Sequence, residues 1–178
     1  MKKRLMIVLL CLLLAVSACG KTEIRPAEDA PASTEGKSLS FETRDLDGNA
    51  VSSEELFSAH KITMVNVMTT WCTYCIQELP ELQSLSEAYA EKDCAIVGLL
   101  YDGTDTALLD TGRSLMEQAG AGYLVLQPWD GMDTQIPVQA FPTTFFVNSD
   151  GKIVGETILG AEPERYAAQL DALLEQSA

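Results

Sequence analysis

The sequence predicts one α/β domain, a mixed central sheet with helices on both faces and a β-hairpin on its N-terminal side. Three observations carry that expectation. Residues 62–69 and Cys94–Leu100 are apolar, β-branched runs that read as buried strands, and a helical apolar pattern separates them. Residues 143–147 and 152–157 flank the turn Asn148-Ser149-Asp150-Gly151, the pattern of an antiparallel hairpin. A chain of 178 residues that is 47% hydrophobic is long enough for one such core, at most two.

The elements follow in order. Leu39, Phe41 and Thr43 alternate with polar residues ahead of Asp47-Gly48-Asn49 and Val51, which predicts the first hairpin. Ser52 with Glu55 three residues later has the form of a capping box for a short helix ending near His60. After the first buried strand, Ile76, Leu79, Leu82, Leu85 and Tyr89 fall at helical spacing. A second helix is expected over residues 104–119 from Leu108, Leu115 and Met116, weakened by Gly112. A short strand is expected at residues 123–126. The closing helix is expected to start near Pro163, a residue suited to the first helical position.

The N-terminal 37 residues read differently. Lys2-Lys3-Arg4 precedes twelve unbroken apolar residues, Leu5 to Val16, a run too short for a membrane span but fitting a signal peptide over residues 1–18. Val16-Ser17-Ala18-Cys19 resembles the bacterial lipobox, which implies cleavage before Cys19 and lipidation of its sulfur. The expected location is therefore extracytoplasmic, anchored to the cell membrane through Cys19. Loss of Lys2, Lys3 and Arg4 takes the net charge from -14 to -17. Such an acidic body disfavours adhesion to anionic headgroups, so acyl chains must supply the attachment. It equally excludes nucleic acid as a partner. Residues 19–37 are rich in small and charged residues with Pro26 and Pro31, and are expected to form a flexible lipidated tether to a domain over 38–178.

Five cysteines and one histidine exclude a small disulfide scaffold and make a four-ligand metal site a poor expectation. Cys72 and Cys75 carry the chemistry. A strand ending near Thr69 delivers Cys72 to a helix N-terminus, where unpaired N–H groups and the positive end of the dipole favour thiolate. Cys75, one turn further in, is the more buried sulfur and lies within bridging reach. Cys72 is then the expected attacker on a substrate disulfide and Cys75 the resolving thiol. A structural disulfide and half of a zinc site are the alternatives left by the residues themselves. No metal and no cofactor beyond the Cys72–Cys75 disulfide is expected.

Val65-Asn66-Val67, then Trp71-Cys72-Thr73-Tyr74-Cys75 with Glu78 and Pro80, resembles the TlpA/ResA-like thiol-disulfide oxidoreductases of the thioredoxin superfamily. Phe141-Pro142-Thr143-Thr144-Phe145-Phe146-Val147 with Asp150-Gly151-Lys152 is similar to that family's second signature. The resemblance runs from about Leu39 to the C-terminal helix and implies a thioredoxin-like fold. It implies a cis Pro142 facing the cysteine pair, with Phe141 offering main-chain hydrogen bonds to a substrate peptide and Trp71 flanking the motif. Glu78 stands at the family's active-site glutamate; it shares a helix face with Cys75 and is a candidate acceptor of its proton. Asn66 stands where thioredoxin carries a buried aspartate and exchanges no proton, which shifts that task to Glu78. Thr73-Tyr74 departs from the dipeptides common in the family. Cys94, amid Ala95-Ile96-Val97, reads as core.

The expected activity is the reduction of protein disulfides. The resemblance implies apocytochrome c or methionine sulfoxide reductases as substrates and a CcdA/DsbD-like membrane protein as electron donor. A disulfide-forming oxidase and a non-enzymatic binding lipoprotein are the competing readings. A peroxidase is disfavoured, because its motif places proline seven residues before the cysteine, where Val65 stands.

Overall fold

The computed structural model describes residues 35–136 and 138–177. The signal segment, Cys19 and all but the last residues of the expected tether lie outside the described residues. Among the described residues, seven strands and five helices follow one another. They are β1 (Glu42–Arg44), β2 (Ala50–Ser52), α1 (Ser53–Ser58), β3 (Ile62–Met68), α2 (Thr73–Ala90) and β4 (Cys94–Leu100). Then come α3 (Thr106–Ala119), β5 (Val125–Leu126), α4 (Met132–Gln135), β6 (Thr143–Asn148), β7 (Ile153–Leu159) and α5 (Pro163–Gln176).

The main sheet has the order β5-β4-β3-β6-β7. β3, β4 and β5 run parallel, while β6 is antiparallel to both β3 and β7, so the sheet is mixed. The β1–β2 hairpin forms its own two-stranded sheet, tied to β5 by an Asp45–Leu126 bridge. Together these elements make a thioredoxin-like fold.

Every residue of β3 is buried, as expected of the central strand of a sheet covered on both faces. The two-residue period sorts its side chains. Ile62, Met64 and Met68 join Ile96, Leu100, Phe146 and Ile158 under α2, α3 and α5. Val65 and Val67 join Val97, Leu99, Phe145 and Val147 on the other face, closed by Phe57 of α1, by Leu39 and Phe41, and by Met132 of α4. Leu39 and Phe41 thus serve the core from just outside β1, rather than as strand residues.

Local sequence sets the helix ends. The Ser52 side chain accepts the Glu55 amide at the start of α1, and Asp105 accepts the Leu108 amide at the start of α3. The onset of α3 therefore falls two residues later than expected. Gly120 closes it in the left-handed conformation. Gly112 is no weakness, because a Cβ there would stand 2.7 Å from Leu100 Cδ2 and the bare backbone lets α3 close on the sheet. Helix α4 went unpredicted; four residues carry too little periodicity to be read. Among the described residues no helix is long and apolar enough to cross a membrane.

Candidate active site

The site forms where β3 ends and α2 begins. Cys72 caps α2, its sulfur accepting the Cys75 amide at 3.2 Å, so it sits just outside the first turn. That N–H, at the positive end of an 18-residue helix, favours a negative sulfur once the bridge opens. Cys72 and Cys75 are joined by a disulfide with their Cα atoms 5.3 Å apart. Cys72 retains 6% exposure and Cys75 only 1%, so the outer sulfur is the one an incoming group can reach.

The loop carrying Cys72 is held from beneath. Asp102, just past β4, takes the Thr70 amide at 3.0 Å and the Thr70 hydroxyl at 2.6 Å. Tyr101 donates its amide to Met68 at 2.8 Å. These anchors leave the flanking aromatics in solvent: Trp71 is 69% and Tyr74 68% exposed.

Phe141 and Pro142 come to this end of the sheet because β6 starts there. The Phe141–Pro142 peptide bond is cis. Trp71 meets Phe141 edge-on with centroids 5.6 Å apart, and Tyr101 packs on Phe141 at a tilt, 5.2 Å between centroids. The Pro142 loop is tied at both ends. Thr143 donates its hydroxyl to the Ala140 carbonyl at 2.7 Å, and the Gly160 amide donates to the Pro142 carbonyl at 2.8 Å.

Glu78 is 2% exposed, a buried carboxyl rather than a solvated acid on the helix surface. Asn66, on β3, donates its side-chain amide to Glu78 Oε1 at 2.8 Å and to the Thr144 hydroxyl at 3.1 Å. Tyr166, on α5, offers its hydroxyl to Glu78 Oε2 at 3.0 Å. Burial pushes the Glu78 carboxyl up to about 7; the bonds from Asn66 and Tyr166 hold it down in part, and the charge of Glu81 raises it. A carboxyl poised there exchanges a proton near neutral pH. Burial, and secondarily the Glu78 charge, pushes the Tyr123 hydroxyl above its ordinary value.

Cys94 lies at the start of β4, 3% exposed, with its thiol pushed up to about 11 by burial first and the neighbouring Asp93 charge second. Among the described residues no three His, Cys, Asp or Glu side chains are grouped to hold a metal ion. The structure thus brings Trp71, Cys72, Cys75, Glu78, Phe141 and Pro142 to one end of the sheet. Sequence reasoning missed Asp102, Thr144 and Tyr166. The Asn66–Thr144 register across β3 and β6 is a pairing that no local pattern reveals.

The AhpC/TSA family matches residues 35–155. Over 137 residues the chain is 30% identical to "Thiol-disulfide oxidoreductase ResA" of Bacillus thuringiensis (strain Al Hakam), covering 76% of this chain and 73% of that protein. Over 123 residues it is 30% identical to "Thiol:disulfide interchange protein DsbE" of Pseudomonas fluorescens biotype C, covering 66% and 65%. The crystal structure of a putative DsbE from Chlorobium tepidum superposes with a TM-score of 0.66 at 20% identity, over 79% of this chain and 97% of that one, a likeness of fold. The chain belongs to the AhpC/TSA family and is a thiol-disulfide oxidoreductase of the ResA type.

Proposed function

We propose that the protein reduces disulfides of extracytoplasmic polypeptides, held at the membrane by a lipid on Cys19. The Cys72 thiolate attacks one sulfur of the substrate bridge, forming a mixed disulfide and releasing the first substrate thiolate. Cys75, its thiol proton passed to Glu78, attacks Cys72 and releases the second thiolate, leaving the Cys72–Cys75 disulfide. Phe141 and Pro142 hold the substrate chain beside the sulfurs, and Trp71 covers its flank. A membrane-embedded donor of the CcdA/DsbD type returns the two electrons. Apocytochrome c and methionine sulfoxide reductases are the substrate classes the family resemblance suggests.

The observation that carries this reading is the pairing of a helix-capping Cys72 with a buried Glu78 on the same helix as Cys75. One sulfur is set up to attack, and a carboxyl near neutral pKa accepts the proton of the other. Equilibration of the pair with glutathione buffers tests the direction. A potential near the thioredoxin end of the known range, ~-270 mV, supports a reductant; one near ~-120 mV would make the protein an oxidase.

A further inference from the structure

Tyr166 is wholly buried, and its hydroxyl is a junction between the two halves of the site. Glu78 Oε2 lies 3.0 Å away and the Gly160 carbonyl 2.7 Å away, and the Glu162 amide donates to the phenol oxygen at 3.1 Å. The Thr144 hydroxyl faces the same oxygen from β6. A phenol has one proton to donate. Two acceptors therefore compete for it, and the charge of one decides the outcome. A neutral carboxyl leaves the proton with the nearer Gly160 carbonyl. An ionised carboxylate makes the stronger, charge-assisted bond and takes it. Gly160 in turn donates its amide to the Pro142 carbonyl at 2.8 Å, so whatever moves Gly160 is felt by the loop that carries Phe141.

We propose that Tyr166 is a positioning residue whose single proton passes between the Gly160 carbonyl and the Glu78 carboxylate, coupling the ionisation of Glu78 to the seating of the Phe141–Pro142 loop. Its role in turnover rests on Glu78 being the acceptor of the Cys75 proton. In the reducing half-reaction Glu78 takes the Cys75 proton and becomes neutral as the mixed disulfide is resolved and substrate must leave; the phenol proton then passes to the Gly160 carbonyl, so the coupling times the release of the loop's grip. The other groups facing this junction are Asn66 from β3, Glu81 from α2, and Tyr123 from the segment before β5. Of these, Glu81 acts on Glu78 through its charge, and the Tyr123 hydroxyl responds to the charge of Glu78.

The test uses the oxidised protein, in which Cys72 and Cys75 do not titrate, in a His60→Gln background that removes the chain's only imidazole. NMR follows the Glu78 carboxyl carbon and the Gly160 and Phe141 amides from pH 5 to pH 9. The expected result is a shared midpoint near that of Glu78, about 7. Tyr166→Phe should leave Glu78 titrating at a higher pH while the Gly160 and Phe141 responses are lost. Glu78→Gln retains the phenol and should abolish the same responses, so the loss is read in two variants of different chemistry. Undiminished Gly160 and Phe141 titration in Tyr166→Phe overturns the proposal, as does a Gly160 amide that stays flat while Glu78 titrates in the parent. Alkylation of the reduced pair separates the underlying reading. An unchanged pH profile in Glu78→Gln removes Glu78 as proton acceptor and leaves the hydrogen-bond coupling standing.

Discussion

The side-chain amide of Asn66 points a donor at Glu78 Oε1 from 2.8 Å, across the buried face between β3 and α2. This bond favours the ionised carboxylate and opposes the burial that favours the neutral acid. Asn66→Ala should therefore raise the Glu78 midpoint above about 7. A bond to a charged group of ordinary strength implies a rise of about one pH unit. Carbon-detected titration of the Glu78 carboxyl reads it directly, and a midpoint that falls would show that the amide opposes ionisation.

The same burial makes Glu78 a stability liability at alkaline pH. Its folded value, about 7, lies above the ordinary glutamate value of 4.5, so between the two the native state holds a proton that the unfolded chain has released. Stability thus falls as pH rises from about 4.5 to about 7 and the loss levels off above that. The interval corresponds to a contribution on the order of 3 kcal/mol. Glu78→Gln should accordingly gain stability over the parent at pH 8, with the difference shrinking toward pH 5. Urea unfolding at the two pH values measures it, and a variant that is less stable at pH 8 than at pH 5 relative to the parent would reverse the sign.

Trp71 stands in solvent in edge-on contact with Phe141, on the path the proposed function assigns to a polypeptide substrate. Trp71→Ala should lower kcat/KM for insulin reduction by roughly five- to tenfold, the loss of one aromatic contact. A small aromatic disulfide should be reduced at close to the parent rate, and the melting temperature should hold, because the side chain supports no core. Equal losses on both substrates would assign Trp71 to the chemistry instead.

Cys94, the first residue of β4 and paired with Ile62 of β3, is buried in the core cluster that α2 and α5 cover, and burial leaves its thiol largely protonated at neutral pH. Reduced native protein treated with N-ethylmaleimide at pH 8 should label Cys72 well before Cys94, with Cys94 modified only after unfolding. Peptide-level mass spectrometry separates the two. Rapid native labelling of Cys94 would make it a third accessible thiol.

The legible parts of this molecule are those written locally. The largely apolar, fully buried run of β3, the Asp150-Gly151 turn and the Cys72–Cys75 spacing each sit within a few residues and follow local patterns. Glu78 was readable as a candidate by its place three residues after Cys75, but its environment was not. Tyr166 reaches it from 88 residues away, and Thr144 shares Asn66 with it from 78 residues away. Contacts of that range are fixed by strand order and helix packing, which no local pattern encodes. Gly112 makes the same point from the other side: helix propensity counted it as a fault, whereas close approach to Leu100 requires it.

In the proposed mechanism the outer sulfur, Cys72, attacks and the more deeply buried Cys75 resolves. Reduced Cys75→Ala mixed with insulin should accumulate a stable mixed disulfide on Cys72, while Cys72→Ala, retaining only the buried Cys75, should form little. Mass spectrometry of the trapped species under non-reducing conditions measures both. An adduct that forms on Cys75 as fast in Cys72→Ala as on Cys72 in Cys75→Ala would contradict the account.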